Sequence, residues 1–250
     1  MLKKLFPLFF IFFASPVTSQ ILNVESLRKV TDTTGFSGSI GFDLSFKRDL
    51  NKYLELSSDA LVQYKMNRHL ILWKNDINFK NIEGNKFQNS GVTHLRYNYR
   101  FHPRVAMETF IQAQYNKVAK INFRGLWGIG PRIKLTQSEE YKIYFGTLLM
   151  YEHEELDDDI TPVQREFRNS SYLSLSFYPT SRIAIISTTY YQPKFKNFKD
   201  YRISSESSAV VNLFSKFSLK TTYTFIYNHF PAEGIPRSLF EFKTGVVYIF

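Results

Sequence analysis

Along most of this chain apolar and polar residues alternate one for one. In FSGSIGFDLSF, positions 36, 40, 42, 44 and 46 are Phe, Ile, Phe, Leu and Phe; positions 37, 39, 41, 43 and 45 are Ser, Ser, Gly, Asp and Ser. Successive side chains of a β-strand point to opposite faces, so this spacing predicts a strand with one apolar and one small, polar face. The rule repeats. Leu54, Leu56, Ala60, Val62 and Tyr64 oppose Glu55, Ser57, Asp59, Gln63 and Lys65, and Ile71, Trp73, Ile77 and Phe79 oppose Lys74, Asp76 and Asn78. Leu95, Tyr97, Tyr99 and Phe101 oppose His94, Arg96, Asn98 and Arg100, and Val105, Met107, Ile111 and Ala113 oppose Glu108, Gln112 and Gln114. Trp127, Ile129, Ile133 and Leu135 oppose Arg124, Arg132 and Lys134. Further apolar sets fall at Tyr141–Tyr151, Leu173–Phe177, Ile203–Leu213, Phe217–Phe225 and Phe240–Phe250, and residues 183–192 are apolar in both phases. The pattern predicts twelve strands, many long enough to cross a bilayer when tilted.

The connections add a second signal. Those at 66–69, 102–104, 137–140, 179–182 and 215–216 read as short. Those near 83–91, 117–123, 155–164, 193–199 and 229–237 read as longer and more polar or proline-rich, with 48–52 shorter than its peers. Alternating short and long connections fit a membrane barrel, which has tight turns on one rim and longer loops on the other. A soluble sandwich has no reason to sort its loops this way. Lipid cannot hydrogen-bond a backbone, so a membrane-spanning sheet must close on itself.

Composition sharpens this picture. The 250 residues include 25 Phe and 16 Tyr against 2 Trp, an aromatic excess suited to the two interfaces of a bilayer. There is no cysteine, which excludes disulfides, thiolate metal sites and an N-terminal lipoprotein anchor. The first residues, MLKKLFPLFFIFFASPVTSQ, have two lysines, a short apolar run and small residues before Gln20; they read as a cleaved secretory signal peptide over 1–19. Residues 20–35 are then expected at the periplasmic end and 36–250 in the barrel, a single domain. Without Lys3 and Lys4 the chain keeps 30 basic against 22 acidic residues, a net charge of about +8. The charges form no run and no helical stripe, so nucleic acid is not an expected partner.

The chain ends on KTGVVYIF. Lys243, Gly245, Tyr248 and Phe250 stand in the spacing polar, glycine, aromatic, aromatic. This resembles the C-terminal signal read by the barrel assembly machinery of bacterial outer-membrane proteins. The stretches SLRKVTDTTGFSGSIG (26–41), HLRYNYRFHPRVAMETFIQAQYNKVAKINFRGLWGIGPRIKL (94–135), YFGTLLMYEHEEL (144–156) and STTYYQPKFKNFKDYRISSESS (187–208) resemble a bacterial outer-membrane family of unknown function. Some of its members are labelled as salt-induced outer-membrane proteins, and the likeness is nearest to Bacteroidetes members. The resemblance implies an all-β, transmembrane, antiparallel up-and-down barrel in the outer membrane, surrounded by lipid and lipopolysaccharide. It implies no catalytic residue and no cofactor.

Candidate chemistry sits on the polar face. Arg96, Arg100, Glu108, Arg124, Arg132, Lys134, Arg202 and Glu206 are expected in the lumen, with Arg168, Lys220, Lys243, Asp43, Glu55, Asp59, Asp76, Glu152 and Glu241 around them. They either fill a narrow lumen with ion pairs or form a basic track for small anions. The resulting functional expectation is a non-catalytic barrel, structural or a narrow solute channel. Two alternatives are a lipid hydrolase using His153 with Ser170 or Ser171, and a scaffold subunit of a larger complex. The acidic run at 153–160 could offer a rim cation site, but a plain acidic loop is the stronger reading. GLWGIGP at 125–131 lacks the Lys-Ser/Thr and following helix of a phosphate loop, so its glycines are read as room on the lumen face.

Overall fold

The computed structural model describes residues 34–48, 52–82, 86–117, 119–136, 138, 140–157, 162–232 and 234–250. The expected signal peptide and nearly all of the expected 20–35 segment lie outside the described residues. Twelve strands follow in order: β1 (Gly35–Arg48), β2 (Lys52–Met66), β3 (His69–Ile82), β4 (Lys86–His102), β5 (Val105–Asn116), β6 (Ile121–Lys134), β7 (Tyr141–Leu156), β8 (Gln164–Thr180), β9 (Ile183–Pro193), β10 (Tyr201–Phe214), β11 (Phe217–Asn228) and β12 (Ser238–Ile249). Each pairs antiparallel with its chain neighbours, and β1 pairs with β12, so the sheet closes as a barrel. Even the shortest, β9 with 11 residues, extends about 37 Å and at 45° tilt covers about 26 Å of bilayer.

Burial is inverted relative to a soluble protein. Phe36, Phe42 and Phe242 are 73%, 66% and 69% exposed, and the outward phase of nearly every strand repeats this with Ile71, Trp73, Ile111, Leu149 or Phe240. The inward phase holds buried Lys74, His94, Arg96, Glu108, Arg124, Arg132, Glu152 and Arg168. Apolar side chains out and charge in is the arrangement that hydrocarbon demands, and it would be unstable in water. The protein is therefore a transmembrane β-barrel.

The strands run further than the sequence reading placed them. β4 begins at Lys86, which reduces the expected long connection 83–91 to 83–85, and β8 begins at Gln164, ahead of the run read from Leu173. Conversely β6 stops at Lys134, so the expected tight connection at 137–140 spans 135–140. Alternating loop length survives mainly on one side of the barrel, where 157–163, 194–200 and 229–237 face the two-residue turns at 181–182 and 215–216. Asn67 and Ser215, at φ 51° and 46°, supply the left-handed backbone of two tight turns. The strand apolar in both phases, β9, acquires a face: Ile186, Thr188, Tyr190 and Gln192 point inward, Ile185 and Tyr191 outward.

Closure is made by a short seam. Ser39 pairs with Ile249, Ile40 with Tyr248, Gly41 with Val247 and Phe42 with Val246. Gly38 and Phe250 exchange two backbone hydrogen bonds of 3.0 Å. Every other seam pairs over a longer register; β1 with β2, for example, pairs from Gly35–Lys65 through Arg48–Lys52.

Candidate functional site

The lumen is divided lengthwise. Its wall on β4–β9 carries large side chains: His94, Arg96, Phe110, Arg132, Met150, Tyr172 and Tyr190. Phe110, Leu148, Met150, Tyr172 and Tyr190 make an apolar cluster inside the barrel. Room for it comes from glycines on the same face. A Cβ on Gly128 would strike the Phe110 ring, one on Gly146 the Tyr172 ring, and one on Gly130 the Thr147 carbonyl. The opposite wall, on β10–β12 and β1, is more slender but not uncharged: Ser204, Ser208, Ser218, Val247, Ser37 and Ser39 point inward there, with Thr222, Thr224, Gly245 and Gly41, beside Arg202, Glu206, Lys220, Glu241, Lys243 and Asp43.

Two buried charge clusters fill the large wall. In the first, Glu108 on β5 is fully buried between arginines of β4 and β6. Asn98 donates to it at 2.6 Å, the Tyr172 hydroxyl at 2.5 Å and Arg132 Nη1 at 3.4 Å, and Arg96 Nη1 stands 3.6 Å away. The Arg132 guanidinium also covers the Tyr144 ring at 3.9 Å. A carboxylate removed from water needs this many partners, because unpaired burial costs several kcal/mol.

The second cluster lies toward the long-loop rim. Arg124 contacts Glu152 at 3.1 Å and pairs with Glu154; Arg202 pairs with Glu152, and with Glu154 at 3.0 Å; Arg168 donates to Glu152 at 2.5 Å. Arg168 reaches on to Asp200 at 3.2 Å and to the Gln192 carbonyl at 3.0 Å, and Lys194 holds Asp200 at 2.8 Å. The cluster therefore ties the 194–200 loop to the lumen wall.

Space remains along the slender side. Near the long-loop rim a cavity of about 260 Å³ is bounded by Arg124, Arg168, Arg202, Ile226 and Leu239 among others. One inward position deeper on β11 and β12, a second cavity of about 80 Å³ is bounded by Thr224, Glu241, Glu206, Lys220, Lys243, Asp43 and Asp76. Within it Lys243 meets Glu241 at 3.2 Å and Lys74 meets Asp76 at 3.3 Å.

Of the residues singled out from sequence, Arg96, Glu108 and Arg132 come together in one cluster, and Arg124 with Arg202 in the other. Glu206 lines the deeper cavity instead. Arg100 and Lys134 share the inward phase but sit beside short turns, Arg100 exposed and Lys134 half-buried. Tyr172, Glu154, Lys194 and Asp200 were not singled out, although all four hold the clusters together. The hydrolase candidates do not meet. His153 pairs in register with Arg165 and bonds Glu155 at 2.9 Å, whereas Ser171 pairs with Thr147, six residues along the strand or about 20 Å away. Ser171 faces outward and bonds Asn169 at 2.5 Å; Ser170 faces inward and accepts from Gln192 at 2.9 Å. Of the acidic run, Asp158–Ile160 lies outside the described residues. Among the described residues no three His, Asp or Glu side chains gather as a metal group.

Solved structures share this architecture. The translocator domain of the autotransporter NalP from Neisseria meningitidis aligns with a TM-score of 0.52 at 10% identity, over 90% of this chain and 92% of that one. The NanC porin aligns at 0.51 and 9% identity, over 86% and 99%. The KdgM porin, solved in complex with disordered oligogalacturonate, aligns at 0.50 and 8% identity, over 86% and 99%. At these identities the likeness is one of fold. Comparison with curated protein sequences gives no match. A family model described as "Protein of unknown function, DUF481" matches residues 31–250, and the chain belongs to that family.

Proposed function

We propose that this barrel is a narrow, non-catalytic pore in the outer membrane of a Gram-negative bacterium. It is exported on its signal peptide, and it passes small polar solutes along the slender side of its lumen. The carrying observation is the lengthwise division of the interior. Rings and most of the buried charge crowd β4–β9, whereas two successive cavities lie against β10–β12 and β1, among hydroxyls, glycines and the charged Arg202, Glu206, Lys220, Glu241, Lys243 and Asp43. By the usual asymmetry of such barrels the short turns face the periplasm and the long loops face outside. Two of the three barrels of like fold are porins by name, which supports the reading as analogy.

The basic track expected from Arg96 and Arg132 lies in the filled wall. Both arginines are buried against Glu108 and aromatic rings, so they support the path rather than line it. A lipid hydrolase finds no support in the separation of His153 from Ser171.

Planar-bilayer recording tests the pore. The mature protein is expected to give small, discrete current steps. Thr222→Trp places an indole in the deeper cavity and is expected to lower the step roughly fivefold or more, as an apolar constriction does. Ile129→Trp, on the lipid side, is expected to leave the step unchanged. A protein that inserts and carries no current would make the barrel structural.

A further inference from the structure

We infer that the cavity at the long-loop rim is a binding site for a small organic carboxylate with an apolar or aromatic flank, taken up before passage. The inference rests on the pore reading, because it assigns the first station of that path.

Its electrostatics point to an anion. Among the described residues bounding the cavity, the cations are Arg124, Arg168, Lys194, Arg202 and Arg237, and the carboxylates are Glu154 and Asp200. Glu152, beneath, is shared by Arg124, Arg168 and Arg202. Among the described residues, five positive against three negative groups leave a formal excess of +2. The three carboxylates are already engaged by Arg124, Arg168, Arg202 and Lys194, so the excess is not cancelled inside the cluster. Arg202 is 7% exposed, and its two terminal nitrogens go to Glu152 and Glu154. Arg237 is exposed at the mouth and outside the ion-pair clusters, so its charge is open to a solute.

Much of the rest of the wall is apolar, with Gln164 and Asn228 among it. Ile226 and Leu239 are buried in the lumen just below the cavity mouth, and Phe230 and Ile235 come from the 229–237 loop above. Pro231 and Pro236 fix φ at the residues that follow Phe230 and Ile235. A volume of about 260 Å³ is close to the lower end for small-molecule pockets, which suits a monocarboxylate of single-ring size. The cationic lining, Arg237 at the mouth included, receives the carboxylate, and the aliphatic surface takes the ring.

Isothermal titration calorimetry of the full mature barrel in detergent, with benzoate as probe and benzamide as its neutral isostere, tests the site. Benzoate is expected to bind saturably and at least about tenfold more tightly than benzamide, a difference of about 1.4 kcal/mol. Arg237 is exposed and outside the ion-pair clusters, so Arg237→Ala is expected to fold and to weaken benzoate severalfold, with Arg237→Lys restoring most of it. Equal affinity for the two probes, no saturable heat, or an Arg237→Ala protein that binds benzoate like the parent would overturn the site. Binding without bilayer current would reject the pore and keep the site; current without benzoate binding would do the reverse.

Discussion

Glu108→Gln is expected to destabilise the folded barrel by about 3–5 kcal/mol, the usual cost of removing one partner from a buried ion pair. The substitution keeps size and shape, so the loss is one of charge. Glu108 is fully buried, and Arg96 and Arg132 approach it from two neighbouring strands. Both are only 3% exposed and would keep their charge with little water to replace the carboxylate. Tyr172→Phe removes a single donor to the same carboxylate and is expected to cost about 1–2 kcal/mol. Urea unfolding of the barrel in lipid vesicles, followed by fluorescence, reads both values. If Glu108→Gln and Tyr172→Phe shift the midpoint alike and only slightly, the cluster is hydrated and the large wall is not the packed filling described above.

On most strands, though not on β9, the face of a residue was legible in sequence, and its depth was not. Alternation told Phe36, Ile40 and Phe42 from Ser37 and Ser39 because period two is a property of the backbone alone. The same rule put Arg96, Glu108 and Arg132 on three adjacent inward faces. It placed Arg100 and Lys134 with them, although these stand a turn away from the bilayer, because phase carries no information about height along the strand. The start of β8 was missed where Arg165, Glu166, Arg168 and Asn169 outnumber the apolar residues. In that stretch Phe167 alone marks the lipid side, while Tyr172 turns inward. Tyr172 escaped for a further reason. A tyrosine in an alternating strand reads as an interface aromatic, and only the glycine opposite, Gly146, makes room for it inside. Lys194 and Asp200 belong to the β9–β10 loop, which carries the β8–β9 pairing on to an Arg168–Lys194 bridge, a contact that residue alternation does not encode.

Deleting Phe250 is expected to have the largest effect in cells. The seam between β1 and β12 is short, and its end depends on this residue. Phe250 and Gly38 exchange two backbone hydrogen bonds of 3.0 Å, and the Phe250 ring lies over Gly38 so closely that a Cβ there would fall 2.8 Å from it. Without Phe250 the Gly38 amide and carbonyl lose their partners at the barrel edge, a cost of about 1–3 kcal/mol per unsatisfied group. We also propose that Lys243, Gly245, Tyr248 and Phe250 are read by the assembly machinery, and that role predicts more than a loss of stability. Folded protein in the outer membrane should fall by about tenfold or more, whereas refolding from urea into detergent should still succeed with a midpoint lowered in proportion to the lost pair. Phe250→Tyr keeps the backbone pair and the aromatic ring, and should restore both readouts. A deletion that lowers the refolding midpoint but leaves the cellular level intact would confine Phe250 to the seam and remove the assembly role.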